Sequence, residues 1–326
     1  MHTSEVELLK ILADGELHSG QELAQIFGVS RTAIWKQLIK IKQKNLEVRS
    51  VKGKGYQLAQ SLELLDKDKI RRQLKPIVQN QLTSLELYYE TTSTNQLLIN
   101  SIDGNSINGR VVLTEHQSEG RGRGGNKWVG GLGAGLYFSV GWHFDYVPKT
   151  FSALSLAVGV TLAKSIEVAC PARIQLKWPN DICHNDAKLG GVLIESRGQN
   201  AGAIDVVIGI GLNIRLSNYL SGLIPQKTTD LTTVSDYQPS RNLIAAVMIN
   251  NLFKLLSNYP DQGFEHYIND WRKLDISKGK WGVLNFSNDR VEGVVIDIDE
   301  YGNLLMSIDG EQHKFGGGNL TLRLKS

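Results

Sequence analysis

Residues 118–128 read SEGRGRGGNKW, and how this stretch is read decides the fold of the middle of the chain. Gly120, Gly122 and Gly125 formally match the G-x-G-x-x-G of a dinucleotide-binding turn. That turn needs a helix directly after it, whose N–H groups meet the pyrophosphate, and it belongs to a parallel, doubly wound sheet. Here the chain runs on through VGGLGAG (129–135) into a β-like segment, and no acidic residue is placed for a ribose. No G-x-x-x-x-G-K-[ST] loop occurs either. The dinucleotide reading is rejected. What remains is Gly120-Arg121-Gly122-Arg123-Gly124, two permanently charged forks on a backbone free to approach an anion. Such a loop suits trapping a reactive acyl phosphate away from water. A flexible surface loop is the plainer reading, but it would not need flanking strands and a terminal Lys127-Trp128.

Outward from the loop, residues 75–270 alternate strand and helix patterns. LELYYE (85–90), RVVLTEHQ (110–117), GLYFSVGWHF (135–144), ARIQLKWPNDICH (172–184), KLGGVLIESRG (188–198) and AIDVVIGIGLNI (203–214) read as strands. Residues 151–169, 241–259 and 264–274 read as helices. Strands at hairpin spacing mixed with long helices predict an α+β domain with a largely antiparallel sheet. After Asp275 short β segments alternate with turn residues, which predicts a small β-barrel of about 50 residues.

The first 60 residues have another texture. Ser4-x-x-Glu7 and Ser19-x-x-Glu22 are capping boxes, Ser30 caps a third helix, and Gly28 ends the second. Ile34, Leu38 and Ile41 form the buried stripe of the third helix, and a hairpin turns at Gly53-Lys54-Gly55. Three helices and a hairpin are a winged helix-turn-helix. From Ser30 to Tyr56 there are eight Lys/Arg against one acid, Glu47. Phosphate contacts explain such a cluster; a solvated basic face on a protein-binding module is the alternative. The candidate DNA-binding residues are Ser30, Arg31, Thr32, Lys36 and Lys40 on the third helix and Lys52 and Lys54 on the wing. SLELLDKDKIRRQL (61–74) reads as a charged helical connector.

Bulk properties exclude little else. The net charge is +3 over 326 residues, too small to argue a polyanion partner globally. Cys170 and Cys183 form no CxxC pair, and the seven histidines make no HExxH. The acidic N-terminus does not fit a signal peptide, and no stretch is read as approaching the roughly 18 apolar residues of a membrane span, so a cytoplasmic protein is expected. In the middle region, Lys177-Trp178-Pro179-Asn180-Asp181 is read as a strand end and Lys188-Leu189-Gly190-Gly191 as the return strand after an HNDA turn. Lys177 and Lys188 with Arg121 and Arg123 would make a polyanion site, and Asn180 and Asp181 offer oxygens suited to Mg²⁺. A plain β-turn with a structural Trp is the alternative for KWPND.

Thr92-Ser93-Thr94-Asn95, the GRGRGGNKW loop, KWPND, Lys188-Leu-Gly-Gly and Gly209-Ile-Gly211-Leu-Asn213 occur in the order and spacing of biotin protein ligases. With the winged helix before and the small barrel after, nearly the whole chain resembles the bifunctional bacterial form that is also the biotin-operon repressor. The resemblance implies a winged-helix domain (1–64), a central domain related to class II tRNA synthetases (65–273) and an SH3-like C-terminal barrel (274–326). It implies activation of biotin by MgATP to biotinyl-5′-adenylate, then transfer to a lysine of the biotin carboxyl carrier protein of acetyl-CoA carboxylase. Ser93, Thr94, Asn95 and Gln117 match positions that hold biotin's ureido ring and polar edge. Arg121-Gly122-Arg123 match the loop that orders over biotin and the adenylate, and Arg123 and Lys188 would neutralise charge in the transition state. Asn180 and Asn213, with Lys177, match nucleotide-side positions, and Trp128 would wall the pocket. Asp181 is the candidate Mg²⁺ ligand and the candidate base for the carrier lysine. Operator DNA and an adenylate-bound homodimer are the further implied partners. Two departures stand out: Gly124-Gly125-Asn126 where relatives carry further arginines, and no Trp in 217–231 to stack on adenine, where Leu220, Leu223 and Ile224 could form an apolar lid. A non-catalytic biotin sensor, a lipoate or other acyl ligase, and a ligase keeping its winged domain only for structure stay open at this point.

Overall fold

The computed structural model describes residues 3–102, 106–198, 202–235, 239–286, 289–317 and 320–325. Of residues 3 and 4 it describes the backbone alone, so the capping box read at Ser4 lies outside the described residues.

The N-terminal region is α1 (Thr3–Leu12), α2 (Gly20–Phe27), α3 (Arg31–Gln43) and a hairpin of β1 (Val48–Val51) and β2 (Gly55–Leu58). Its local signals act as read. Ser19 and Glu22 close a reciprocal capping box, Gly28 ends α2 in the left-handed region at φ 60°, and Ser30 Oγ accepts the Ala33 N–H. Leu8, Leu9, Leu12, Leu23, Ile34, Leu38 and Ile41 meet in one small core. That core is completed from outside: Leu132, from the segment after the glycine-rich loop, is fully buried in it. The Leu132 N–H donates to Lys44 O (2.8 Å), and Asn45 Nδ2 donates to Gly130 O (3.2 Å).

Within the charged connector expected at 61–74 the helix is α4 (Lys67–Arg72), and a second short helix, α5 (Pro76–Gln81), follows beyond it. Pro76 cannot continue a helix from α4 but suits the first turn of α5.

The central sheet is built from β3 (Ser84–Thr91), β4 (Arg110–Gln117), β5 (Gly135–Phe144), β6 (Gln175–Lys177), β7 (Asp181–His184), β8 (Ala187–Gly198) and β9 (Ile204–Asn213). Their order is β3-β4-β5-β9-β8-β7-β6, with β3–β4 parallel and every other pair antiparallel. The helices are α6 (Thr94–Ile99), α7 (Leu154–Ala169), α8 (Asn218–Gly222), α9 (Leu231–Val234), α10 (Arg241–Gln262) and α11 (Glu265–Leu274). Period-two alternation sorts the sheet's side chains. Val111, Leu113, Phe138, Val140, Val206 and Ile208 face α7 and α10 in the main core, while Val112 and Val207 face α6 through Leu98.

Two expectations are corrected here. Residues 172–184 are two strands: the chain reverses at 178–180, across a cis Trp178–Pro179 bond, so β6 and β7 pair as a hairpin before the 185–186 turn into β8. Residues 151–169 are long and apolar enough to cross a membrane by composition, contrary to the sequence reading. They form a core helix, buried on nearly all sides between the sheet and α10 and α11, which is why they are apolar all round.

The C-terminal strands β10 (Trp281–Asn285), β11 (Arg290–Ile298), β12 (Leu304–Ile308), β13 (Glu311–Phe315) and β14 (Thr321–Leu324) form one antiparallel sheet ordered β13-β12-β11-β10-β14. Its inner residues Leu284, Val295, Ile298, Leu304, Met306 and Leu322 merge with the central core. Trp178 Nε1 donates to Gly302 O at 3.0 Å, tying the 178–180 turn to this sheet.

Candidate active site and nucleic-acid interface

On the α6 face of the central sheet lies a cavity roofed by the glycine-rich loop. All thirteen central site residues expected from the sequence line it: Ser93, Thr94, Asn95, Gln117, Arg121, Gly122, Arg123, Trp128, Lys177, Asn180, Asp181, Lys188 and Asn213. They come from seven places in the chain, gathered by sheet pairing rather than by proximity in sequence.

The loop itself is a tight reversal. Trp128 N–H donates to Gly120 O (2.9 Å) and Gly122 N–H to Asn126 O (2.7 Å), with a single 3-10 turn at 123–125. Gly124 and Gly125 take φ of 60° and 78°, which side-chain-bearing residues rarely adopt. No helix follows; the chain passes straight to β5.

One end of the cavity is lined by neutral, hydrogen-bonded side chains. Ser93 caps α6, the Thr94 N–H and hydroxyl both reach Gln117 Oε1 (2.9 and 3.2 Å), and the fully buried Ser139 hydroxyl lies 2.6 Å from both Thr94 Oγ1 and Asn95 Oδ1. Gly209 and Gly211 on β9 keep this end open. A Cβ at Gly209 would stand 2.2 Å from Asn95 Oδ1, and one at Gly211 2.7 Å from the Trp128 ring.

Four of the cations that line the cavity are each held by a partner, Arg121 beside these neutral groups and Arg123, Lys177 and Lys188 around Asn180 and Asp181. Arg121 is paired with Glu195 (2.6 Å) and reaches Gln96 Oε1; Glu195 also accepts from Asn95 Nδ2 (2.8 Å). Arg123 donates to Asn180 Oδ1 (3.4 Å) and to Gly317 O of the C-terminal sheet's last connection. Burial lowers its guanidinium's pKa, and Asp181 offsets part of that. Lys177 and Lys188 grip opposite oxygens of Asp181 at 2.8 and 2.6 Å. Burial alone would raise the Asp181 carboxyl, but the two ammonium groups outweigh it and hold it below the ordinary range. Burial likewise opposes charge on Lys177, yet Asp181 raises its pKa. Lys188 Nζ also stands 5.8 Å from the centre of the Trp128 ring, whose buried Nε1–H has no partner among the described residues. Burial, with Asp181 beside it, pushes the Cys183 thiol up to about 12, so it stays a neutral wall group.

These contacts bear on Asp181, read as a Mg²⁺ ligand and as a base. Both of its oxygens are occupied by lysines and its carboxylate is stabilised, which suits a clamp and not a proton acceptor. Among the described residues no three His, Cys, Asp or Glu side chains come together as a metal cage. The residues present do not fit a protein-held metal. The apolar lid read in 217–231 is also redistributed: Leu220 is buried, Leu223 is exposed, and Ile224 alone of the three lines the cavity. Sequence reading missed Gln96, Ser139 and Glu195. Ser139 left a signal, a polar residue inside the apolar run 136–140 of β5, whereas Glu195 is followed by Ser196 and Arg197 in β8 and left none.

Residues 87–213 match the sequence family described as the biotin/lipoate A/B protein ligase family, and residues 6–57 match an HTH domain. The bifunctional ligase/repressor BirA of Salmonella typhimurium is 34% identical over 321 residues, 98% of each chain. That of Escherichia coli is 32% identical over 322 residues, 99% of this chain and 98% of its own. The chain belongs to the bifunctional biotin ligase/repressor family. It is thus a biotin protein ligase carrying a helix-turn-helix repressor domain. The solved biotin protein ligase from Aquifex aeolicus, in complex with biotin and ATP, shares the fold at a TM-score of 0.63 and 22% identity, over 75% of this chain and 100% of its own.

The ligase's second face lies on the winged helix. Arg31, Thr32 and Lys36 are exposed on α3, and Lys52 and Lys54 at the hairpin turn. Ser30 spends its hydroxyl on capping α3. Lys40 reaches back to the buried Glu5 at 3.2 Å, and Lys44 is paired with Glu90 of β3 at 2.9 Å, so both are partly committed inside the molecule.

Proposed function

We propose that the ligase activates biotin with MgATP to biotinyl-5′-adenylate and passes biotin to one lysine of the biotin carboxyl carrier protein of acetyl-CoA carboxylase. The observation that carries this is one cavity lined both by neutral hydrogen-bonding groups, Ser93, Thr94, Asn95 and Gln117, and by cations, Arg121, Arg123, Lys177 and Lys188 among them. Ser93, Thr94, Asn95 and Gln117 would hold the ureido ring, with Ser139 fixing their orientation. A carboxylate oxygen of biotin forms a bond to the α-phosphorus, the α–β bridging P–O bond breaks, and pyrophosphate leaves with the electron pair. Arg123 and Lys188 would neutralise the charge gathered there, and Arg121 and Gly122 would close the loop over the product. Lys177, Asn180, Asn213 and Trp128 would flank the nucleotide. In the second step a deprotonated carrier amine bonds to the acyl carbon and AMP leaves. Asp181 serves in this reading as the clamp that sets Lys177 and Lys188. Magnesium would arrive on the nucleotide's own phosphates, and no step here runs through it.

Repression would follow from the same site. The adenylate-bound form would dimerise through the central domain and set two winged helices on a two-fold operator. The short path from Trp128 in the cavity to Leu132 in the winged-helix core supports a coupling between ligand and DNA face. The reading takes boundaries at 64/65 and 273/274, a C-terminal sheet of the SH3-like barrel type, and a cytoplasmic setting.

The test is the mass of a purified carrier domain after incubation with the full chain, biotin and MgATP. One added biotinyl group is expected, absent with Arg123→Ala or Lys188→Ala variants of unchanged circular dichroism. Biotin binding without transfer by the unaltered chain would reduce it to a biotin-sensing regulator.

A further inference from the structure

Trp35 lies in the middle of α3 and is 52% exposed, although the helix buries Ile34 and Leu38 on either side of it in sequence. At about 100° per residue it sits off the buried stripe, between Arg31 one turn earlier and Ile39 one turn later. Among the described residues no hydrogen bond or ring contact of the chain engages its indole. A large aromatic left in water amid exposed Arg31, Thr32 and Lys36 marks a surface meant to be covered, and the charge around it selects a polyanion.

We propose that Trp35 is a base-reading residue of this ligase's DNA face, and that it reads thymine in the major groove. The inference rests on the DNA-binding reading of the winged helix. Indole presents an apolar ring and one N–H, a donor with no acceptor. Of the four bases, thymine alone offers the matching pair in the major groove: a C5 methyl group and an O4 acceptor. Cytosine presents a donor at that edge and would leave the indole N–H opposed by another. Arg31 and Lys36 would meanwhile hold the register through phosphates.

The experiment uses the full chain with biotin and MgATP. It first selects duplexes from a randomised library, then replaces each thymine of the enriched duplex in turn by deoxyuridine, which removes only the methyl. One position per half-site should lose about fourfold in affinity, the worth of one buried methyl. Trp35→Ala should weaken binding about tenfold, and at that position deoxyuridine should then change nothing further. Trp35→Phe should keep the methyl preference, and all variants should transfer biotin normally. Methyl effects absent in the unaltered chain, or equal in Trp35→Ala, would overturn the role of Trp35 while leaving DNA binding in place. If the unaltered chain enriched no duplex, the DNA reading itself would fall, and the role of Trp35 with it.

Discussion

The cavity and the winged-helix face are both built from lysine and arginine, but they handle charge in opposite ways. In the cavity the four cations expected from the sequence each have an internal partner: Glu195 for Arg121, Asn180 and a backbone carbonyl for Arg123, and Asp181 for both Lys177 and Lys188. On the winged helix, Arg31, Lys36, Lys52 and Lys54 are exposed. A buried cation without a partner would be too costly to keep, so a site shaped for catalysis must hold its charges by exchangeable contacts that a substrate can replace. A DNA face needs its charges solvated, because releasing counterions from the phosphates is what drives binding there.

The contrast can be broken in several ways. The largest effect is expected from Lys188→Ala or Arg123→Ala, each lowering the rate of adenylate formation by about 100- to 1,000-fold, measured by pyrophosphate release. Retained activity would mean these cations are structural. Next comes Leu132→Ala, which removes the plug joining the two regions. It should cost about 2–5 kcal/mol in urea unfolding, with the loss reported by α1–α3. Gly209→Ala should weaken biotin binding by about 1–3 kcal/mol through its clash with Asn95, with DNA affinity unchanged in titrations run alongside. A smaller change is expected from Lys54→Ala: the slope of log affinity against log salt should fall by about one, while biotin transfer stays the same.

The smallest effect is a predicted absence. Asp181 has its folded pKa below the ordinary 3.8, so the stability it contributes is present above that value and is lost only as pH falls through the folded pKa. Between about pH 5 and 8 it should add no slope to stability. A limb there that vanished in Asp181→Asn would contradict the clamp.

Most of the winged helix was legible because its signals are short-range: Ser19, Glu22, Gly28 and Ser30 act on backbone groups within four residues of themselves. The strands of the central sheet were legible for the same reason, through alternation and glycine spacing. The reversal at 178–180 was legible only as the alternative β-turn reading of KWPND, because a strand that ends and a strand that turns back look alike over so few residues. The membrane-length composition of 151–169 is a property of the sequence, but its meaning depends on what packs around it. Among site residues, motif members were found and their supports were not. Ser139 and Glu195 matter only because β5 and β8 lie on either side of β9 and face α6.

The elements, the family and the set of side chains that line the cavity were readable in one dimension, because they follow from local backbone preferences and from motifs whose spacing survives there. Tertiary structure alone decided who partners whom. It set two lysines on Asp181, it put Leu132 in a distant core, and it left Trp35 in water. Each of those outcomes depends on distances across the fold, and charge, burial and exposure are properties of surroundings that no stretch of chain carries alone.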